Sequence, residues 1–356
     1  MKLYEQASMK NIASSIRLSL AISLSKPIIQ KKFQEEYNRE EDLSVMIVRY
    51  EKASEKYGSE IDEIIKNCQD LNVRIISIFD PAYSEILREI NDPPVVLYAI
   101  GRTELLNKST CIAIVGTRKS TTYGNSVAEM FSKELCSYGI TIVSGLAAGV
   151  DVAAHKGALG TGDTIAVLGS GIDIQYPVMN KAIYEKMYKQ GLVISEYPPN
   201  YPASTYTFPK RNRIIAGLSK GVVIIESKER GGSLITAECA LAYNREVFAV
   251  PGRLGDENSL GTNHLIQKGA KLVLSVNDII EEFNWMIPER KTKIDIKYKL
   301  SNEEDQLYSV LSLEAIYIDD ISEKAKLPIN KVMTILSFLE MQGLVKQLPG
   351  KRYVRA

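Results

Sequence analysis

Nine short apolar runs recur through the middle of the chain: VRIISIF, VVLYAI, CIAIV, ITIVS, TIAVL, LVIS, VVIIE, VFAV and LVLSV. Most are separated by segments of helical period, such as SVAEMFSKELCSYG and SLITAECALAYN. A strand that is apolar without interruption must be covered on both faces. Alternation with helices supplies that cover, so the pattern predicts an α/β fold with a doubly wound, mostly parallel sheet over residues 71–285. Residues 1–70 carry apolar positions spaced at three and four and predict an N-terminal helical region. A basic linker is expected at 286–300, where ERKTKIDIKYK falls, and the order helix, turn at LP, helix, PGK hairpin predicts a winged helix over 301–356.

The charge balance narrows the function. The 44 Lys and Arg residues face 43 Asp and Glu residues, leaving a net charge of +1, so any anion must be met by a local patch. The two histidines, His155 and His264, are far apart, which makes a zinc site or a Ser-His-Asp relay hard to assemble. Cys68, Cys111, Cys136 and Cys239 are widely spaced and form no Cys-x-x-Cys pair, as expected of buried thiols in a cytoplasmic protein. With no apolar leader and no run of 18 apolar residues, a soluble protein without a membrane partner is expected.

In open α/β sheets ligands sit beyond the carboxyl ends of the strands, and four such loops here are rich in small residues and cations. They are AIVGTRKSTTYGNS, VSGLAAGVDVAAH, VLGSGIDIQYP and IIESKERGGSLITAE. Glycines let the backbone approach an anion, and free N–H groups at a helix start hold it. The usual nucleotide fingerprints are missing. VLGSGIDI lacks the third glycine of a dinucleotide loop, and in GALGTGDT Asp163 stands where a P-loop needs Lys. Arg118 and the cluster Lys210, Arg211 and Arg213 bring cations to the same edge, arginine offering planar bidentate phosphate contacts. A solvated turn is the plain alternative for the cluster, but TFPKRNRIIAG runs directly into an apolar helix. Beside it, Tyr206 and Phe208 stand either as base platforms or as core plugs.

These loops, together with DPAYSEILREINDPPVVLYAIG, SEYPP, FPKRNRIIAGLS, REVFAVPG and GTNHLIQKGA, resemble the DNA-processing protein A (DprA, also called Smf) family in order and spacing over about residues 79–273. The tail IDDISEKAKLPINKVMTILSFLEMQGLVKQLPGKRYVR resembles the winged helix of many members. The resemblance implies an extended Rossmann-like domain that binds single-stranded DNA, protects it, self-associates as a homodimer and helps load RecA recombinase in natural transformation. It implies no catalytic residue, no cofactor and no metal. Carried onto this sequence, Arg118 and Lys210 contact phosphates, Arg211 and Arg213 assist or brace the loop, and Asn212 orders it. The N–H groups of Gly231, Gly232 and Ser233 cradle a further phosphate. Gly116, Thr117, Lys119, Ser144, Gly145, Phe208 and Thr236 complete the expected DNA-binding set, and His264, Leu265 and Ile266 are the candidate dimer surface.

The chain departs from the family in places. Ala148 stands where many members carry Arg or Ser, and Gly58 is the one glycine before residue 100, which leaves a helix-hairpin-helix unsupported. The winged helix holds seven Lys and Arg against eight Asp and Glu, and its second helix carries one cation, Lys331, and one anion, Glu340. A major-groove reader normally brings several cations, so this module is expected to touch protein or to bind DNA weakly. The competing reading is a nucleotide-sugar or nucleoside-monophosphate hydrolase that uses the Gly-Gly-Ser phosphate loop with Thr236 and Glu238. His155 is a further candidate acid or base there, although its setting in VDVAAHKGAL favours a structural role.

Overall fold

The computed structural model describes residues 9–38, 43–285 and 300–355. The expected basic linker, 286–300, therefore lies outside the described residues except at Leu300. Among the described residues five helices come first: α1 (Met9–Leu24), α2 (Pro27–Asn38), α3 (Leu43–Arg49), α4 (Glu51–Lys56) and α5 (Gly58–Asp70). They do not form a core of their own. Leu18, Ile22, Phe33 and Met46 pack with Ile76, Leu97 and the rest of one sheet face, and the Ser19 and Ser77 hydroxyls share a hydrogen bond of 2.8 Å.

The sheet elements follow in the expected succession. They are β1 (Arg74–Ser77), α6 (Glu85–Arg88), β2 (Val96–Gly101), β3 (Cys111–Val115), α7 (Thr122–Ser137), β4 (Thr141–Ser144), α8 (Val150–Ala158), β5 (Thr164–Leu168), α9 (Lys181–Gln190) and β6 (Leu192–Ser195). Then come α10 (Thr207–Gly217), β7 (Gly221–Ile224), α11 (Gly232–Ala242), β8 (Glu246–Ala249), α12 (Leu260–Gln267), β9 (Lys271–Leu272) and α13 (Val276–Glu282). The nine strands are ordered β1-β2-β6-β5-β4-β3-β7-β8-β9. Only β2 runs against its neighbours, and every other pairing is parallel.

Alternate residues of the central strands serve opposite faces, as the pleat requires. Ile112, Ile114, Ile142 and Val223 meet Val127, Phe131, Val150 and Ala154 of α7 and α8. Ala113, Val115, Val143 and Val222 meet Ile214, Ile215 and Ala237 of α10 and α11. The fully apolar strands are thus explained: both faces are dry. On the first face α8 lies close on α7 at Gly157, where a methyl group would run into the Glu129 carbonyl. The run LVLSV contributes only Leu272 to the ladder, beside Lys271 in the two-residue strand β9. Asp278 accepts from the N–H groups of Leu274 and Ser275 at 2.8 Å each, and that capping box turns the chain into α13.

The C-terminal module is a winged helix: α14 (Asn302–Val310), β10 (Ile316–Tyr317), α15 (Ile318–Ala325), α16 (Ile329–Met341), β11 (Val345–Leu348) and β12 (Arg352–Arg355). Lys326 takes the left-handed conformation, φ 51°, to end α15, and Pro328 starts α16. Leu307, Ile321, Val332, Leu336 and Leu339 form its core. The opposite face of α16 leaves Met333, Phe338 and Met341 in solvent, while Lys331 is engaged by Glu303.

Candidate nucleic-acid interface

The strand order β5-β4-β3-β7-β8-β9 reverses between β3 and β7. The loops that leave those two strands diverge to opposite faces and open a crevice, the usual ligand position in such sheets. Here the crevice is a groove of about 380 Å³. Gly116, Thr117 and Arg118 form one wall, Lys228 and Arg230 to Ser233 another, and Thr205, Phe208 and Pro209 the third, with Asp151 and Arg211 beneath.

Both loops are pinned. Glu226 at the end of β7 accepts the Thr117 N–H on its carbonyl at 2.8 Å, and its carboxylate accepts the Thr121 N–H at 2.9 Å and the Thr121 hydroxyl. The Thr121 hydroxyl in turn caps α7 by accepting the Gly124 N–H at 3.0 Å. Asn258 donates to the Lys119 carbonyl at 3.0 Å, while its own carbonyl takes the Ser227 N–H at 2.7 Å, so one residue ties the two loops together. Gly149, with φ +82°, lies so close to the Thr117 and Arg118 backbone that a side chain would collide there. Gly231 and Gly232 begin α11, an 11-residue helix whose N-terminus lines the groove and favours an anion. Asn212 donates to the Gly232 carbonyl at 3.3 Å and joins α10 to that helix start.

The fold sorts the cations into two kinds. Arg118, Lys119 and Lys210 are exposed, Arg118 in the groove wall and Lys210 on the first turn of α10 just outside it. Arg118 rests on Phe208, its guanidinium carbon 4.3 Å from the ring centroid, and Tyr176 stacks on the same ring at 5.5 Å. Phe208 is thus partly buried as a support for Arg118, a role between the two expected of it. Arg211 is buried: its guanidinium occupies the space a side chain at Gly145 would need, and Nη1 donates to the Val167 carbonyl at 2.9 Å. Burial raises the pKa of the Asp151 carboxyl, and the nearby Arg211 and Arg118 charges pull it down. Burial prevails, so Asp151 lies near Arg211 in the groove floor with its carboxyl pKa raised.

Two expected DNA contacts are placed elsewhere. Arg213 is buried and pairs with Glu196, and with Asp92 at 3.3 Å, so its charge braces α10 and does not face the groove. Ser144 is fully buried, its hydroxyl donating to the Ile114 carbonyl at 2.7 Å between adjacent strands. Glu238, the acid of the hydrolase reading, is exposed on α11 and does not line the groove, although Thr236 does. His155 is also structural. The Thr164 hydroxyl donates to Ile142, so it accepts from His155 Nδ1 at 2.8 Å, and burial holds the imidazole pKa down at about 3. Lys228 and Arg230 were missed in the sequence reading, although cations just before a Gly-Gly helix start are a legible signal. Lys228 is shared with Glu257 at 2.6 Å; Arg230 is exposed, with no ion pair among the described residues. The expected dimer surface lies on α12, where His264 is exposed, Ile266 is partly exposed and Leu265 packs inward.

The thiols behave as expected of buried cysteines: burial pushes Cys68, Cys111 and Cys136 up to about 12. No helix among the described residues is long and apolar enough to cross a membrane.

Comparison with known proteins places this architecture. The family profile described as DNA recombination-mediator protein A matches residues 74–284, and the DprA winged helix domain profile matches residues 296–351. DNA processing protein DprA of Bacillus subtilis is 38% identical over 274 residues, which cover 77% of this chain and 88% of that protein. The crystal structure of DNA processing protein A from Streptococcus pneumoniae superposes with a TM-score of 0.65 at 36% identity, covering 74% of this chain and 95% of that one. A structure of the Helicobacter pylori protein, described for its single-stranded DNA binding mode, gives a TM-score of 0.55 at 31% identity, over 60% of this chain and 95% of that one.

Removing one partner of a buried ion pair strands the other. Arg213→Ala is expected to cost about 3–5 kcal/mol of stability in urea unfolding, against little change for Lys210→Ala. A loss for Arg213→Ala as small as that for an exposed lysine would contradict its bracing role.

Proposed function

We propose, from the premise that this chain belongs to the DNA recombination-mediator protein A (DprA/Smf) family, that it is a DNA-processing protein that binds single-stranded DNA in the groove at the β3–β7 switch. The observation that carries this reading is the convergence of exposed Arg118 and Arg230, the α11 N-terminus and nearby Lys210 on one crevice of a chain whose net charge is +1. A near-neutral protein attracts a polyanion only where cations are gathered, and here they gather in and beside one groove. The Gly116–Arg118 loop and the Gly231–Ser233 helix start take successive phosphates. Lys119 and Lys210 extend the cationic surface, and Arg211 and Asn212 hold the loops in register. Phe208 fixes the Arg118 guanidinium, so less side-chain freedom is lost on binding.

The same family membership supports the rest of the reading: a cytoplasmic protein that protects incoming strands, acts as a homodimer and helps load RecA recombinase in natural transformation. No cofactor, metal or catalytic step is required for that role. The dimer surface is proposed at α12, through His264, Leu265 and Ile266. This helix stands at the sheet edge closed by the two-residue strand β9, near exposed Leu272 and Leu274.

Binding to a single strand releases counterions, with a slope of log K against log salt of about −0.7 per neutralised phosphate. The Arg118→Ala/Lys210→Ala double variant is expected to bind oligo-dT more weakly in fluorescence anisotropy, with a slope shallower by about 1.4 if each cation meets one phosphate. Wild-type affinity and slope would refute the site. Light scattering of Ile266→Asp is expected to report a smaller species than the native chain; an unchanged mass would move the dimer surface elsewhere. RecA assembly on oligo-dT should be faster with the protein than without it, and an unchanged rate would remove the recombinase step while leaving binding intact.

A further inference from the structure

Beside the cationic groove lies a surface of a different kind. The loop after β5 and the loop before α10 are held together: the Gly171 N–H donates to the Tyr201 carbonyl at 2.7 Å, the Asn200 N–H to Asp173 at 2.8 Å, and the Thr207 hydroxyl to the Gly169 carbonyl. This joint presents aromatic rings outward. Tyr176 is 46% exposed and already stacked on Phe208, their planes 29° apart. Tyr201 is 41% exposed and stacked on Tyr197 at 4.7 Å, 21° between planes. Tyr206 is 78% exposed, and its side chain has no hydrogen-bond or ring partner among the described residues. Val178 and Met179 widen the apolar surface.

A single exposed tyrosine is ordinary. This set is different in two respects. Tyr176 and Tyr201 are held by stacked partners, with Tyr206 on the same bonded loops, and the set continues from Phe208, the groove wall that supports Arg118. We propose that Tyr176, Tyr201 and Tyr206 form a stacking lip for the bases of a strand whose phosphates lie in the groove. This inference rests on the single-strand reading and adds the place where the bases go. A strand lying in the groove with its phosphates toward Arg118 and the α11 N-terminus turns its bases toward the other wall. There every base offers a π-face, so the lip accepts any sequence. A duplex keeps its bases paired and cannot use the lip, which gives the groove a preference for single strands beyond its charge.

The test measures binding of the full chain to 20-residue oligo-dT, to an abasic strand of the same length and to a matched duplex, at several salt concentrations. The native protein is expected to favour oligo-dT over the abasic strand. Tyr206→Ala should weaken oligo-dT binding by about fivefold to 100-fold per stacked base lost, with abasic binding and the salt slope unchanged, and Tyr206→Trp should restore it. Tyr206 is largely exposed and bonded to no other side chain among the described residues, so its loss disturbs the fold least; Tyr176→Ala is the second variant. Equal loss on both strands, no loss in either variant, or native protein that binds abasic and oligo-dT strands alike overturns the lip while leaving the phosphate groove. Native protein that binds neither strand overturns the single-strand reading itself.

Discussion

Glu226 couples the two loops on which the groove depends. Its backbone carbonyl holds Thr117, and its carboxylate, pressed into the space where Gly124 has no side chain, holds Thr121 and so the start of α7. The residues between those anchors are Arg118, Lys119 and Ser120, so the anion-facing segment is a short bridge fixed at both ends. Preorganisation of this sort lowers the ordering cost of binding, which for a flexible loop would consume much of the gain from a few exposed phosphate contacts. Glu226 leads directly into the second loop, so the two walls cannot shift independently.

Charge in this molecule is divided between support and contact. Arg211 and Arg213 occupy the most buried positions of the cluster; Arg211 donates to the Val167 carbonyl near Asp151, and Arg213 pairs with Glu196 and Asp92. Burying a guanidinium without a counter-charge would cost several kcal/mol. Glu196 and Asp92 answer the charge of Arg213 and leave its geometry as its contribution. Arg118, Lys119, Lys210 and Arg230 remain at the surface without ion pairs among the described residues, so they are the cations of this region left open to solvent. Of the cations in TFPKRNRIIAG, one faces outward and two face in.

The flanking regions are joined to the sheet differently. Helices α1 to α5 place their apolar residues in two clusters shared with β1, β2 and β6, so their apolar faces are satisfied by the sheet. The winged helix has a core of its own and meets the sheet domain chiefly at its rim, through Arg253–Glu314 at 2.6 Å and Leu313. Its α16 turns methionine and phenylalanine outward where a duplex reader would carry cations.

Much of this was legible in the sequence. Short, largely apolar runs such as CIAIV and TIAVL, alternating with helical segments, read as strands with two dry faces, and glycines before a helix start need no distant partner to admit an anion. Local chemistry fixes such features, so the α/β class, the winged helix and the loops Gly116–Arg118 and Gly231–Ser233 were all readable. LVLSV was read too long, because a capping aspartate four residues beyond Leu274 competes for its N–H. What the tertiary structure alone decided is the direction each charge faces. Arg213 is drawn inward by Asp92, 121 positions earlier in the chain, and Arg211 by the void at Gly145 and the Val167 carbonyl. Burial and counter-charge come from residues that only folding brings near, so a cluster of cations in one dimension became a brace and a binding surface in three.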